Sequence, residues 1–270
     1  MSADWYAAYT RLKFDRPAPG VLRVTFASPL KLGAMDAQMH AEIAAVWKDI
    51  ARDEATAAVL LTGAERTFSA GGDKNNELRA LEDFEARMQS MREARDLVYN
   101  MINCPQPIVS AARGWAVGAG LACLILADVS IMSQDAKLTD GHVNIGVAAG
   151  DHATIIWPLL CGMARAKYYL LLGERMTGAD AARIGLITLA LPDEQVAGRA
   201  LAIATQLAKG APAATRWTKQ TLNHWLRRAG PIFEASLGLE FIGFSGPEAR
   251  EGVHALLEKR PPRFDPDGIA

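Results

Sequence analysis

The sequence predicts an α/β protein in which buried strands alternate with helices. Two short apolar runs, residues 57–61 and 107–111, are typical of buried strands. Each run is followed by a glycine-rich turn, at residues 68–73 and 114–120. The segment over residues 77–101 is long, charged and amphipathic, which is typical of a helix. This alternation implies crossover connections and sheets that are covered by helices.

The segments on either side of this centre also predict regular elements. Residues 22–26 alternate between apolar and polar side chains after a turn-forming proline and glycine segment, and they predict a strand. Asp36 is a plausible N-cap for a helix over residues 39–50. The C-terminal part is predicted to be helical, over residues 196–209, 212–228 and 231–244.

The composition favours a soluble globular protein. Of 270 residues, 50% are hydrophobic and 22% are charged, and a net charge of −1 gives no general attraction to nucleic acid or membrane. Cys104, Cys123 and Cys161 lie in apolar stretches and predict buried thiols rather than a disulfide framework. The N-terminus lacks the pattern of a signal peptide, and the longest apolar run, residues 116–127, is too short to cross a bilayer. We therefore expect a cytoplasmic protein.

The two glycine-rich turns form the first candidate site. A strand that turns through small residues into a helix leaves backbone N–H groups unpaired and lets a ligand approach the chain closely. Two such turns are able to direct two N–H donors at one oxygen atom, as an oxyanion hole requires. Either turn alone is explained equally well by tight helix–strand packing. The occurrence of both turns favours the oxyanion hole.

Four ordered sequence blocks resemble the enoyl-CoA hydratase/isomerase (crotonase) family, and they cover residues 67–73, 114–120, 176–187 and 256–264. The resemblance implies a crotonase-like spiral of repeated strand–strand–helix units over residues 1–192. It also implies a C-terminal helical region over residues 193–270 that serves trimer assembly. The expected partner is a small acyl-CoA substrate, with coenzyme A as part of that substrate and no separate cofactor. The expected assembly is a homotrimer or a dimer of trimers.

The resemblance also assigns roles to individual residues. The backbone N–H groups of Ser69 and Ala119 are expected to polarise a thioester carbonyl and to hold the enolate formed beside it. The positions implied in binding coenzyme A are Lys31, Ala70, Gly71, Gly72, Asp73 and Lys259. For each lysine, an ordinary surface position is an equally good explanation.

The two catalytic glutamates of the family's hydratases fall at Ala122 and His142 in this chain. Alanine has no acid–base chemistry, so the two-glutamate hydration mechanism is not expected to operate unchanged. Imidazole takes and gives a proton near neutral pH, and His142 is therefore a candidate acid–base residue. We expect Asp151 to fix its tautomer and to stabilise the imidazolium.

Other readings of the same residues stay open. His142, Asp151 and Glu240 follow the order used by related carbon–carbon bond hydrolases of this superfamily, so hydrolysis of a β-diketone competes with thioester chemistry. Glu240 taken alone is more simply an ordinary helix carboxylate. Ala122 also leaves open a catalytically silent acyl-CoA-binding protein.

A metal site is not expected in the segment that contains these residues. Residues 139–152 include two aspartates and two histidines, but their spacing matches no common zinc pattern. His152 stands where the family usually has a small residue, and two roles remain for it: narrowing the pocket or donating a second proton.

Overall fold

The computed structural model describes residues 6–64 and 66–264. One sheet has six strands, which are in order β1 (Leu12–Ala18), β2 (Val21–Phe26), β3 (Ala58–Gly63), β5 (Ile108–Ala112), β7 (Val129–Ser133) and β10 (Leu189–Leu191). A second sheet has four short strands, which are β4 (Ser69–Ala70), β6 (Trp115–Val117), β8 (Lys137–Thr139) and β9 (Met176–Thr177). All neighbours are parallel except the outer pairs β1–β2 and β8–β9.

Helices cover these sheets and form the C-terminal part of the chain. The first seven are α1 (Ala37–Arg52), α2 (Lys74–Glu82), α3 (Phe84–Asn103), α4 (Ala119–Ile125), α5 (Ala153–Cys161), α6 (Met163–Leu172) and α7 (Gly178–Arg183). The next five are α8 (Asp193–Lys209), α9 (Pro212–Leu222), α10 (His224–Arg228), α11 (Gly230–Gly243) and α12 (Pro247–Glu258). Short 3₁₀ helices lie at Lys31–Gly33 and His142–Ile145. The predicted α/β class with C-terminal helices is confirmed.

The strands form a repeated unit that positions the glycine-rich turns. A strand of the large sheet is followed by a short strand of the small sheet and then by helix, first through β3, β4 and α2, and again through β5, β6 and α4. In the small sheet Ser69 lies opposite Ala116, and Ala116 lies opposite Leu138. Because these strands are parallel and in register, the turns that follow β4 and β6 emerge side by side.

The segment expected to form one helix over residues 77–101 is two helices that meet at Asp83. The carboxylate of Asp83 accepts hydrogen bonds from the N–H groups of Glu85 and Ala86, so it caps a new helix rather than continuing the old one. Asp36 caps α1 as predicted and accepts from the N–H of Met39 at 2.8 Å.

The C-terminal helices share cores with the earlier part of the chain. Helix α8 buries Val196, Ala200 and Ala204 against side chains of the large sheet, among them Leu60 and Val109. The expected division after residue 192 therefore marks a change from mixed to helical structure and not a break between two cores. Within the described residues, no helix combines the length and the apolar character needed to span a membrane.

The three cysteines lie where the sequence placed them. Cys104, Cys123 and Cys161 are buried free thiols, as predicted. Burial raises the pKa of each thiol, because desolvation disfavours the thiolate.

Candidate active site

A pocket opens where the two glycine-rich turns meet, and Gly72, Gly118 and Ala119 line it. We call these three residues the glycine wall. A Cβ atom on Gly118 would lie 3.5 Å from Cα of Gly71 and 3.8 Å from N of Gly72, and the φ angle of Gly118 is 54°. The two distances are ordinary van der Waals contacts, so it is the positive φ angle that favours glycine at this position. Among the described residues, no backbone hydrogen bond engages the N–H of Gly72 or of Ala119. Two residues with unengaged backbone N–H groups therefore line one pocket.

Ser69 lies below this pocket and does not line it. Its side chain is fully buried, and its hydroxyl group accepts a hydrogen bond from the N–H of Gly71 at 3.1 Å. A Cβ atom on Gly120 would collide with Ser69, which places Ser69 under the first turn of α4. The residue of this turn that reaches the pocket is Gly72, because β4 ends at Ala70 and the chain then turns outward. Gly72 is therefore a further candidate for the first donor beside Ser69, and Ala119 lines the pocket.

The three side chains expected to be catalytic come together in this pocket. Nε2 of His142 lies 3.6 Å from Oε1 of Glu240 and 3.7 Å from Oδ1 of Asp151. His142 belongs to the 3₁₀ helix after β8, Asp151 precedes α5, and Glu240 projects from α11. The N–H of Gly150 donates to Oε2 of Glu240 at 3.1 Å and links the C-terminal helix to the loop that carries Asp151.

The partner that fixes the tautomer of His142 is Asp140 and not Asp151. Nδ1 of His142 donates to Oδ1 of Asp140 at 2.9 Å, and Asp140 is 1% exposed. Asp151 instead pairs with His152, whose Nδ1 lies 2.5 Å from Oδ1 of Asp151. Asp140 was missed because an aspartate two residues before a histidine and next to a glycine looks like an ordinary turn residue.

His152 lies behind the pocket and supports Asp151. It is fully buried, and its Nε2 lies 3.8 Å from Oδ2 of Asp140; neither atom has a hydrogen-bond partner among the described residues. Two histidines and two aspartates thus close a ring to which Glu240 adds a fifth ionisable group. We call Asp140, His142, Asp151, His152 and Glu240 the acid–histidine cluster.

The charges of this cluster are set by burial and by mutual attraction. Desolvation lowers the pKa of His142, but the carboxylates of Asp140, Asp151 and Glu240 outweigh it and raise that pKa well above 6.5. Burial alone would raise the pKa values of Asp140 and Asp151, but attraction to the histidines holds both below their usual range. Desolvation raises the pKa of Glu240 well above its usual value. The pocket thus favours a protonated His142 beside ionised aspartates, whereas burial disfavours ionisation of Glu240.

The cluster also satisfies the spacing of a metal site. The ligand atoms of Asp140, Asp151 and His152 lie within 4.8 Å of one another, and so do those of His142, Asp151 and Glu240. However, Nδ1 of each histidine is already paired with a carboxylate, and ion pairing among these groups accounts for their closeness. We assign no metal to the cluster.

Further ionisable groups line the pocket that the sequence did not indicate. Glu77 reaches it from α2, and His40 of α1 pairs with Glu93 of α3 through Nδ1 and Oε2 at 2.7 Å. Desolvation opposes ionisation of Glu93, but the hydrogen bond to His40 outweighs it and lowers the pKa of Glu93. Nothing in the linear spacing of these residues signals a shared pocket, because three separate helices supply them.

The residues expected to bind coenzyme A fall at the edge of the site. Lys31 and Lys259 are exposed and stand outside the pocket lining. The nucleotide half of a coenzyme A molecule would therefore have to lie on the surface. Gly72 lines the pocket, and Ala70, Gly71 and Asp73 belong to the turn that carries it.

Ala122 stays apart from the pocket chemistry. It is 1% exposed within α4 and packs into the hydrophobic core.

An α/β fold that presents two backbone donors beside an acid–base cluster defines an enzyme of the enoyl-CoA hydratase/isomerase type. Residues 16–267 match the family described as enoyl-CoA hydratase/isomerase, and the chain belongs to this family. A protein named probable enoyl-CoA hydratase from Rhodobacter capsulatus is 35% identical over 91% of this chain and 94% of its own. The 1,2-epoxyphenylacetyl-CoA isomerase of Escherichia coli is 31% identical over 91% of this chain and 95% of its own.

Solved structures agree with this assignment. An enoyl-CoA hydratase/isomerase from Mycobacterium paratuberculosis superposes with a TM-score of 0.87 and 30% identity over 92% of this chain and 99% of its own. A β-diketone hydrolase from the cyanobacterium Anabaena superposes with a TM-score of 0.81 and 27% identity over 90% of this chain and 97% of its own. The family thus includes proteins of similar fold whose names indicate different reactions.

Proposed function

We propose that this enzyme acts on an acyl-CoA thioester through an enolate whose oxygen is held by the N–H groups of Gly72 and Ala119. The observation that carries this proposal is the pair of unengaged donors on a pocket that also contains His142 and Glu240. Backbone donors aimed at a developing oxyanion contribute roughly 3–4 kcal/mol each to transition-state stabilisation. Lys31 and Lys259 are the candidate contacts for the phosphates of coenzyme A.

The acid–histidine cluster would move the protons in this reaction. A substrate that displaces water from the pocket meets a protonated His142 with Glu240 at its Nε2 side. In the neutral form of His142, Nε2 is a base that is able to take a proton from water, which leaves hydroxide to attack and His142 as the imidazolium. Residue 122 contributes nothing, because alanine stands there and is buried in the core. We therefore expect hydration of crotonyl-CoA about 10²–10⁴-fold below that of a two-glutamate hydratase.

We further propose that the enzyme is cytoplasmic, requires no cofactor beyond the coenzyme A of its substrate, and assembles as a homotrimer or a dimer of trimers. Large apolar side chains are exposed on α5, α6 and α9 to α11, among them Met163, Leu171, Trp217, Leu239 and Ile242. Such an exposed apolar surface is typical of a contact with another protein. Light scattering coupled to gel filtration should give a mass of three or six chains, and a monomer would contradict the assembly.

A second candidate reaction is the hydrolysis of a β-diketone. Two observations favour it: His142 lies beside both Asp151 and Glu240, and the Anabaena β-diketone hydrolase has a similar fold. In this reaction a water activated by His142 attacks one ketone, the carbon–carbon bond breaks, and the other ketone leaves as an enolate. The glycine wall holds an enolate oxygen in both candidate reactions.

Incubation of the enzyme with crotonyl-CoA and, separately, with a cyclic β-diketone tests these proposals. Turnover of the thioester alone, even if slow, supports the first proposal. Ring opening of the diketone without thioester turnover supports the second. If the folded wild-type enzyme turns over neither compound, the catalytic proposal is wrong and a silent acyl-CoA-binding role replaces it.

A further inference from the structure

Glu77 is an acidic side chain of the pocket to which neither the glycine wall nor the acid–histidine cluster gives a role. It projects from α2 and lines the same pocket as Gly72, Ala119 and His142. A Cβ atom on Gly72 would collide with Oε1 of Glu77, so this carboxyl group lies directly against the residue that supplies the first donor. Glycine at position 72 makes room for it.

A structural role for Glu77 as a helix cap is excluded by its neighbours. The N-cap of α2 is Asp73, and its N–H is already donated to the carbonyl of Met35 at 2.9 Å. The side chains of Asn75 and Asn76 donate to Asp73 and to the same carbonyl of Met35. Among the described residues, no hydrogen bond engages the carboxyl group of Glu77. Its side chain is half-buried and lines the pocket, so it is accessible to a bound ligand.

The surroundings of Glu77 favour its neutral form. Desolvation raises its pKa, and the nearby carboxylates of Asp151 and Asp73 raise it further, against the attraction of His142 and His40. Glu240, also favoured as a neutral acid, lines the same pocket. Glu77 is thus placed to hold a proton beside the glycine wall.

We propose that Glu77 is a catalytic acid that delivers a proton to the enolate carbon while the glycine wall holds the enolate oxygen. The inference rests on the proposed function, because it requires an enolate at Gly72 and Ala119. It supplies the second acid–base group that residue 122 lacks, and it serves both candidate reactions, since each passes through an enolate.

The proton transfer balances without a further reactant. The O–H bond of Glu77 breaks, a C–H bond forms at the enolate carbon, and the enolate becomes a ketone or thioester carbonyl. Glu77 is left as a carboxylate. It regains the proton that His142 took from the attacking water, so one water molecule is split in each turnover. In the reverse direction the Glu77 carboxylate removes the proton next to the carbonyl.

Exchange of the α-protons of butyryl-CoA with deuterium in D₂O, followed by proton NMR, tests this role directly. We expect exchange in the wild type and a loss of about 10²-fold or more in Glu77→Gln, which keeps the shape but removes the acid. Glu82→Gln is the matched control, because the substitution is the same and Glu82 is exposed at the far end of the same helix. Glu77→Asp keeps the acid on a shorter chain and should fall between the two. Wild-type exchange in a folded Glu77→Gln would overturn the proposal.

An infrared difference spectrum keeps the test independent of the substrate. At pH 7 the wild type minus Glu77→Gln should show the carbonyl band of one protonated carboxyl group, whereas wild type minus Glu82→Gln should show an ionised one. An ionised Glu77 overturns this proposal even if the enzyme turns over a thioester or a diketone. If Glu77 is protonated but the wild type neither exchanges butyryl-CoA nor opens a diketone, the proposed function fails and this role fails with it.

Discussion

The two halves of the pocket differ in what they are made of. The glycine wall consists of backbone groups held by the parallel pairing of β4 with β6, and it carries no titratable group. The acid–histidine cluster consists of side chains, every one of which titrates, and Glu240 comes from a helix almost ninety residues beyond Asp151 in the chain. In the proposed reaction, transition-state stabilisation and pH dependence therefore have separate origins. Substitutions should therefore affect one without the other.

The largest effect is expected at the glycine wall. Ala119→Pro deletes the donor N–H, and activity should fall by about 10²–10³-fold with the pH profile unchanged in shape. Ala119 is the first residue of α4, a position that tolerates proline because its N–H makes no bond within the helix. Initial rates across pH 6 to 10 measure both features.

A matched substitution separates this donor from the neighbouring packing. Ser69→Ala removes a buried hydroxyl but no backbone donor, so we expect it to keep most of the activity. Circular dichroism must show that both variants fold. Loss of activity in a folded Ser69→Ala would return Ser69 to the site through its hydroxyl group.

The next effect is expected in the cluster. His142→Ala and Asp151→Asn should each lower turnover by roughly 10²-fold or more, and the double variant should be little worse, because coupled catalytic residues are not additive. Turnover of each single and of the double variant gives the coupling. Independent, additive losses would mean that Asp151 acts apart from His142, and full activity in His142→Ala would make this histidine a packing residue.

The glycine wall and the acid–histidine cluster also differ in how far the sequence predicts them, because one consists of backbone groups and the other of side chains. The glycine wall depends on local pattern, and both turns were predicted from their glycines. The sequence does not indicate whether Ser69 or Gly72 supplies the first donor, because which residue faces the pocket depends on where the two-residue strand β4 ends. No sequence pattern marks the end of so short a strand.

The cluster depends on tertiary contacts, so its members were easier to predict from the sequence than their roles. His142, Asp151 and Glu240 were predicted from their order along the chain, and the structure brings them together. The sequence did not indicate that Asp140 bonds to Nδ1 of His142, whereas Asp151 lies beside Nε2 of the same ring. Glu77 was missed because the segment that contains it was predicted as one long helix, in which a glutamate looks like an ordinary surface residue.

A smaller effect should separate the charge of the cluster from its geometry. Asp140→Asn keeps an oxygen that accepts from Nδ1 of His142 but removes the largest electrostatic contribution that raises the pKa of this histidine. Neutral imidazole is the base, so the rate of the wild type should rise with pH through a limb above neutrality. In Asp140→Asn this limb should move to lower pH, because a neutral amide no longer favours the imidazolium. The profile of kcat/KM against pH measures it, and an unmoved limb would mean that another group titrates.

The smallest effect concerns stability. The pKa of Glu240 is raised in the folded protein, so its favourable contribution is present below the unfolded value near 4.3 and is lost as pH rises through the folded value. Glu240→Gln does not titrate, so its unfolding temperature relative to the wild type should increase between pH 5 and pH 9. A gain of about 1 kcal/mol corresponds to roughly 2–4 °C in a chain of this size.

Glu248→Gln, at an exposed position at the start of α12, is the control and should show no such trend. A Glu240→Gln variant that becomes less stable as pH rises would instead show that Glu240 is ionised and paired with His142, and the cluster would then owe its stability to that ion pair.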